Sequence, residues 1–184
     1  MNEFKVYDIT SAPADSRVDL EKIKLNHGTL PNVYAVMAES PLLLKAYVAL
    51  KDLFGKATLS NQDRKIVLLT LSRETGSPYD TAAHSVAAEK HSVPVDVIEA
   101  IRAGQVLKDK KLESLRSFTV HAVEKRGLVD ENDVKDFLVA GYTRANILEI
   151  VLAAGMVTLT SYTNQIARTP LDTQFEPKVW KKAS

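Results

Sequence analysis

The chain of 184 residues carries 24 Lys plus Arg against 23 Asp plus Glu, a net charge of +1, with 45% hydrophobic and 26% charged residues. That is the profile of a soluble globular protein with a real core, and it lacks the concentrated positive charge that nucleic-acid binding by counterion release requires. Cysteine is absent, so the polypeptide by itself offers no thiolate nucleophile, disulfide relay, thiolate zinc site or iron–sulfur ligand.

In chain order, Met1-Asn2-Glu3-Phe4-Lys5 lacks the apolar core of a secretory leader, which predicts a cytoplasmic protein. Residues 8–17 read as extended and residues 18–27 as a short helix. Ser40-Pro41 is an N-cap followed by proline at the first helical position, and Leu43, Leu44, Tyr47, Val48, Leu50 and Phe54 then form one broad stripe. Ser60-Asn61-Gln62-Asp63 opens the next helix as a capping-box variant. Its residues Ile66, Val67, Leu69, Thr70 and Leu71 are apolar on most sides, which predicts a central position. Further helices follow Ser77-Pro78 and Pro94 (Val97, Ile98, Ile101); Leu112, Leu115, Phe118, Val120 and Val123 give the next, and another follows Asp130-Glu131-Asn132-Asp133 (Val134, Phe137, Leu138).

Residues 143–167 form the longest predicted helix. Its apolar run, 147–159, is interrupted by Glu149, Gly155 and Thr158 and falls short of the ~20 residues of a membrane span, so no membrane partner is expected. Gly55, Gly76, Gly104, Gly127 and Gly141 each follow a helical stretch, where a left-handed C-cap is expected. No segment alternates with period two; the predicted class is all-α. Residues 170–184 read as a tail lying on a neighbouring surface.

One segment carries candidate chemistry: Arg73-Glu74-Thr75-Gly76-Ser77-Pro78-Tyr79-Asp80-Thr81-Ala82-Ala83-His84. A helix ends at Gly76 and another starts at Ser77, so Asp80 and His84 share a face one turn apart. A carboxylate there orients an imidazole and favours its charged form, leaving the second ring nitrogen for proton transfer. The same residues also read as ordinary capping chemistry with a helix-stabilising ion pair. His27, His91 and His121 are scattered, with no carboxylate or second histidine at ligand spacing, so no metal site is expected. Tyr162 and Asn164 near the end of the long helix read as packing residues, and Gly155 as a close helix approach or a kink.

The segment resembles the signature of the carboxymuconolactone decarboxylase and alkylhydroperoxidase D-like (AhpD-like) family, in which Cys-x-x-Cys-x-x-x-His opens a helix. Laid on this chain, the cysteines fall at Ser77 and Asp80, the histidine at His84, and the family's proton-handling glutamate at Lys65. Leu30-Pro31-Asn32-Val33, Ala38-Glu39-Ser40-Pro41, Ile101-Arg102-Ala103-Gly104, Ala140-Gly141-Tyr142-Thr143 and the run from Asn164 to Asp172 are similar to other family landmarks. The resemblance implies an AhpD-like helical domain over 28–175, preceded by an N-terminal arm with a short helix (1–27) and followed by a tail (176–184). It also implies a homo-oligomer, trimer or hexamer.

Three of the four key positions have changed, so disulfide-dependent peroxide reduction is disfavoured: a serine hydroxyl forms no disulfide, and Lys65 inverts a charge. The resemblance then implies a decarboxylase or lyase on a small organic acid or lactone, needing no cofactor. His84 would be the acid/base, Asp80 its orienter, Lys65 a partner for a substrate carboxylate, and Ser77 and Tyr79 polar groups of the pocket. Two alternatives stand beside it: a non-catalytic oligomer binding a small molecule or a partner, and antioxidant peroxidase activity inherited from the family.

Overall fold

The computed structural model describes residues 4–181, and residues 1–3 and 182–184, where the extreme N-terminus and the end of the tail were read, lie outside it. Nine α-helices make up the described chain: α1 (Ala14–His27), α2 (Asn32–Met37), α3 (Pro41–Phe54), α4 (Asn61–Glu74), α5 (Pro78–Lys90), α6 (Val95–Ala103), α7 (Lys110–Glu124), α8 (Glu131–Val139) and α9 (Arg144–Ala167). A 3-10 helix, Thr173–Lys178, follows. Among the described residues there is no strand, as the absence of period-two segments requires.

α4 is the axis of the bundle. Ile66 through Ser72 are all buried, because α5, α6, α7 and α9 pack around it. Of its two buried hydroxyl side chains, Ser72 donates to Leu68 O at 2.7 Å, whereas Thr70 Oγ1 has no hydrogen-bond partner among the described residues. The caps predicted at Ser40, Ser60 and Ser77 hold, and Asp109 and Thr143 add two that the sequence reading did not name. Ser40, Ser60, Ser77, Asp109 and Thr143 each accept from the backbone three residues on, a contribution of ~1 kcal/mol apiece. Asp130 and Asp133 close a reciprocal capping box.

Some local expectations yield to the structure. α1 starts at Ala14 rather than residue 18: Pro13 sets the turn into it, and Leu20 and Ile23 bury a narrow face against α3. Gly55 keeps a right-handed φ of −57°, whereas Gly76, Gly104, Gly127 and Gly141 are left-handed. α2, only six residues long, is too short for a hydrophobic period to announce it.

α9 as a whole is long and apolar enough to cross a membrane by length and composition, which corrects the estimate made from its central apolar run alone. Here it is a packed helix against which α2, α3, α4, α5 and α7 lie. Its inward face carries Asn146, Thr160, Ser161 and Asn164, all buried. Gly155 marks no close helix approach; a Cβ there would meet nothing within 4 Å.

The C-terminal segment is tied down rather than loose. Asn32 N–H donates to both Asp172 oxygens at 3.2 Å, and Arg102 donates to Lys178 O and Val179 O at 3.1 Å each. Trp180 Nε1 donates back to Arg102 O at 3.0 Å. The 3-10 helix crosses residue 175 and packs on α5.

Candidate functional site

The corner between α4 and α5 builds the site. Gly76, at φ +69°, turns the chain, Ser77 caps α5 and Pro78 occupies its first turn. From there Tyr79, Asp80, Ala83, His84 and Ala87 present one helical face to a cavity of about 480 Å³. α4 supplies Arg64, Lys65 and Leu68 to the same cavity, and α3 supplies Tyr47, Lys51 and Phe54. Met156 and Thr160 of α9 form part of the floor, and Gln174 and Phe175 of the 3-10 helix close one side. A space of this size holds a small ligand.

The walls are basic. Lys51, Arg64, Lys65 and Lys90 line the cavity, with His27, His84 and His91, against Asp80 as the single acidic residue. Arg64 is occupied structurally, donating to Ala57 O at 2.9 Å and Leu59 O at 3.0 Å. Lys51 Nζ donates to the Tyr34 hydroxyl at 2.7 Å and meets His27 Nε2 at 2.8 Å. Among the described residues neither Lys51 nor Lys65 forms an ion pair. Burial lowers the pKa of both, helped at Lys51 by the charge of Lys65 and at Lys65 by that of Arg64.

His84 is a neutral imidazole. Its ring opens partly onto the cavity, yet desolvation first, then the charges of Lys65 and Lys51, pull its pKa down to about 3. This corrects the expectation that Asp80 orients His84 and favours its charged form. Asp80 faces α9 instead: Ser161 Oγ donates to it at 2.8 Å and Asn164 Nδ2 at 3.1 Å. Burial raises the Asp80 pKa, opposed by hydrogen bonds from Ser77, Ser161, Asn164 and Thr160.

Lys65, Tyr79, Asp80 and His84 thus line one cavity, and Ser77 does not. Ser77 is fully buried under the start of α5, its hydroxyl accepting from Asp80 N–H at 3.3 Å, which corrects its placement among substrate-binding groups. The Tyr79 hydroxyl is also committed: it donates to Asp172 and accepts from Val33 N–H at 3.2 Å. Burial and the neighbouring Asp172 carboxylate push its pKa far up, so it stays a phenol.

The sequence reading missed Lys51, although a signal was present: Lys51 sits on the buried stripe of α3 between Tyr47 and Phe54, where a charge is anomalous. His27 and His91, read as scattered, meet at this cavity. Asn164 packs inward on Asp80, and Tyr162 points outward, 60% exposed. A second depression, about 560 Å³ between α7 and α8, has mixed walls including Lys110, Lys111, Asp133 and Asp136, and none of the candidate residues.

No family model matches the sequence, and no curated protein matches it. Solved structures do match in fold. An AhpD-core, uncharacterized peroxidase-related protein from Ralstonia eutropha superposes with a TM-score of 0.83 at 16% identity, covering 94% of this chain and 93% of that one. An uncharacterized peroxidase-related protein from Silicibacter sp. gives 0.79 at 18% identity, over 95% and 92%. A cysteine-to-alanine variant of the debrominase Bmp8, in complex with 2,3,4-tribromopyrrole, gives 0.78 at 15% identity, over 96% and 95%. The chain has the AhpD-like fold.

Proposed function

We propose that this protein is a non-redox acid–base enzyme of decarboxylase or lyase type, acting on a small organic acid or lactone, with His84 as the proton-transfer group. One observation carries the reading. Lys51 and Lys65 bring positive charge to the cavity with no ion-pair partner among the described residues, while Asp80 is spent on α9. A buried positive field without a protein counter-charge favours an anionic ligand. That anion offsets the lysine charges that depress His84, so its arrival makes His84 a better base. Tyr34, Tyr47, Phe54 and Phe175 give apolar faces for the rest of a small molecule. A protein of the same fold holds a tribrominated pyrrole, in keeping with a small ring as occupant.

Peroxide reduction through a thiol pair is not part of this proposal, because neither Ser77 nor Asp80 carries sulfur. The test begins with calorimetric binding of benzoate against benzamide, its neutral isostere. Preference for benzoate, lost in K51M/K65M, supports the site. Turnover of ring-derived acids and lactones is then compared between wild type and H84Q, and full activity in H84Q would refute the role of His84.

A second reading is a non-catalytic, oligomeric binding protein, favoured by His84 having no bonded carboxylate among the described residues and by the outer face of α9. Leu148, Val151, Tyr162 and Ile166 are each at least 60% exposed there, around the open Gly155. We propose that this stripe packs against further copies in a trimer or hexamer of a cytoplasmic protein. Sedimentation of a clean monomer at micromolar concentration would exclude the assembly.

A further inference from the structure

The cations around the cavity are not equivalent. Arg64 is fixed on two carbonyls, and Lys51 is anchored between Tyr34 and His27. Lys65 has no hydrogen-bond or ion-pair partner among the described residues, although its stem is half-buried on α4 and lines the cavity with His84. An amine must shed its proton to act as a nucleophile, and desolvation beside other cations is how proteins arrange this. Both conditions are met here: burial acts first and the Arg64 charge second, and Lys65 and Lys51 repel one another. At neutral pH the free-amine fraction of a lysine rises about tenfold for every unit by which its pKa falls.

We propose that Lys65 is a covalent amine site, its Nζ forming an imine with the carbonyl carbon of a small oxo acid whose carboxylate rests on Lys51. The inference rests on the anionic-ligand reading of the same cavity and adds the carbonyl to the substrate class. The nitrogen lone pair forms the C–N bond, and the carbonyl π pair moves to oxygen. After proton transfer from nitrogen to that oxygen, and uptake of one further proton from solvent, water leaves and a protonated imine remains. The iminium acidifies the adjacent C–H, and neutral His84 accepts that proton while the C–H pair enters the enamine. The reverse steps return amine and oxo acid, so no oxidant or reductant is consumed.

Pyruvate with sodium cyanoborohydride, followed by peptide mass mapping, tests the site directly. The expected result is one dominant reduced adduct, on Lys65. It should disappear in K65R, weaken in K51M, fall when excess benzoate occupies the wild-type cavity, and persist in H84Q. Exchange of pyruvate methyl protons in D₂O, followed by NMR, should be lost in K65R and also in H84Q. Labelling spread evenly over surface lysines, or exchange unchanged in K65R, would overturn the proposal. Because trapping does not need His84, a failure of the acid–base assignment leaves a distinct record: Lys65 labelled, with exchange unaffected by H84Q. Benzoate protection uses the wild-type chain, so the test survives a variant that does not fold.

Discussion

Asp80 and His84 stand one turn apart on α5 and line the same cavity, but they serve different neighbours. The Asp80 carboxylate takes hydrogen bonds from Ser161 and Asn164 on α9, while His84 opens onto the cavity in the field of Lys65 and Lys51. One ties α5 to α9, and the other is the group we propose as the base. The distinction sets most of the expected behaviour of the molecule.

If Asp80 is a bolt, shape matters more than charge. D80N keeps an oxygen for Ser161 or Asn164 and removes a desolvated charge, so its stability at pH 7 should match or slightly exceed wild type. D80A leaves the donors facing an apolar gap and should cost about 1–3 kcal/mol. Urea denaturation of the two variants distinguishes these outcomes, and equal losses would contradict the assignment.

The depressed pKa of His84 makes folding pH-dependent with a defined sign. Its folded value, about 3, lies below its ordinary 6.5, so between these pH values the unfolded chain binds more protons. The stabilising difference is complete above pH 6.5 and is lost as pH falls toward 3. Asp80, whose pKa is raised, has the opposite sign: its contribution is complete below its ordinary pKa and fades as pH rises through the folded value. Urea midpoints between pH 6.5 and 4 should therefore decline less steeply in H84Q than in wild type.

Neutralising either lysine should release part of that depression. In K51M or K65M, NMR titration of the His84 ring should show its pKa rising from about 3 toward the ordinary range, though not reaching it, because desolvation is the larger cause. Saturating wild type with benzoate should move His84 in the same direction, with proton uptake on binding. No movement in any of the three experiments would separate His84 from the lysine field.

The C-terminal segment depends on Tyr79. Its hydroxyl joins Asp172 to Val33 N–H, and its ring meets Phe175 edge-on at 5.8 Å. Y79F keeps the ring and removes the joint, so it should cost about 1–2 kcal/mol. Amide exchange over residues 172–180 should accelerate more than exchange in α4. Uniform exchange changes across the chain would show that the segment is held by its other contacts alone.

Gly104 serves packing as well as capping. It sits at φ +71°, and a Cβ there would lie 2.1 Å from Arg73 Nη2. G104A should lower stability by about 1–2 kcal/mol from backbone strain alone, with the displaced guanidinium adding to it. A thermal midpoint equal to wild type would contradict this.

Sequence alone determined most of the helices, because their signals are local. A cap such as Ser60, Ser77 or Thr143 satisfies backbone groups within its own first turn, and a stripe such as Leu44, Tyr47 and Phe54 follows from helical geometry without any partner. The absence of cysteine likewise decided, before any fold, that the chain has no sulfur nucleophile of its own. α2 and the start of α1 escaped because a short helix, or a narrow buried face, leaves too few apolar positions to form a period. Tertiary structure decided the site. Lys51 from α3 and Lys65 from α4 reach His84 only because three helices converge, and Asp80 finds its partners 81 and 84 residues further along the chain. Protonation state follows from desolvation and from charges acting through space, and neither quantity exists until those helices are packed together.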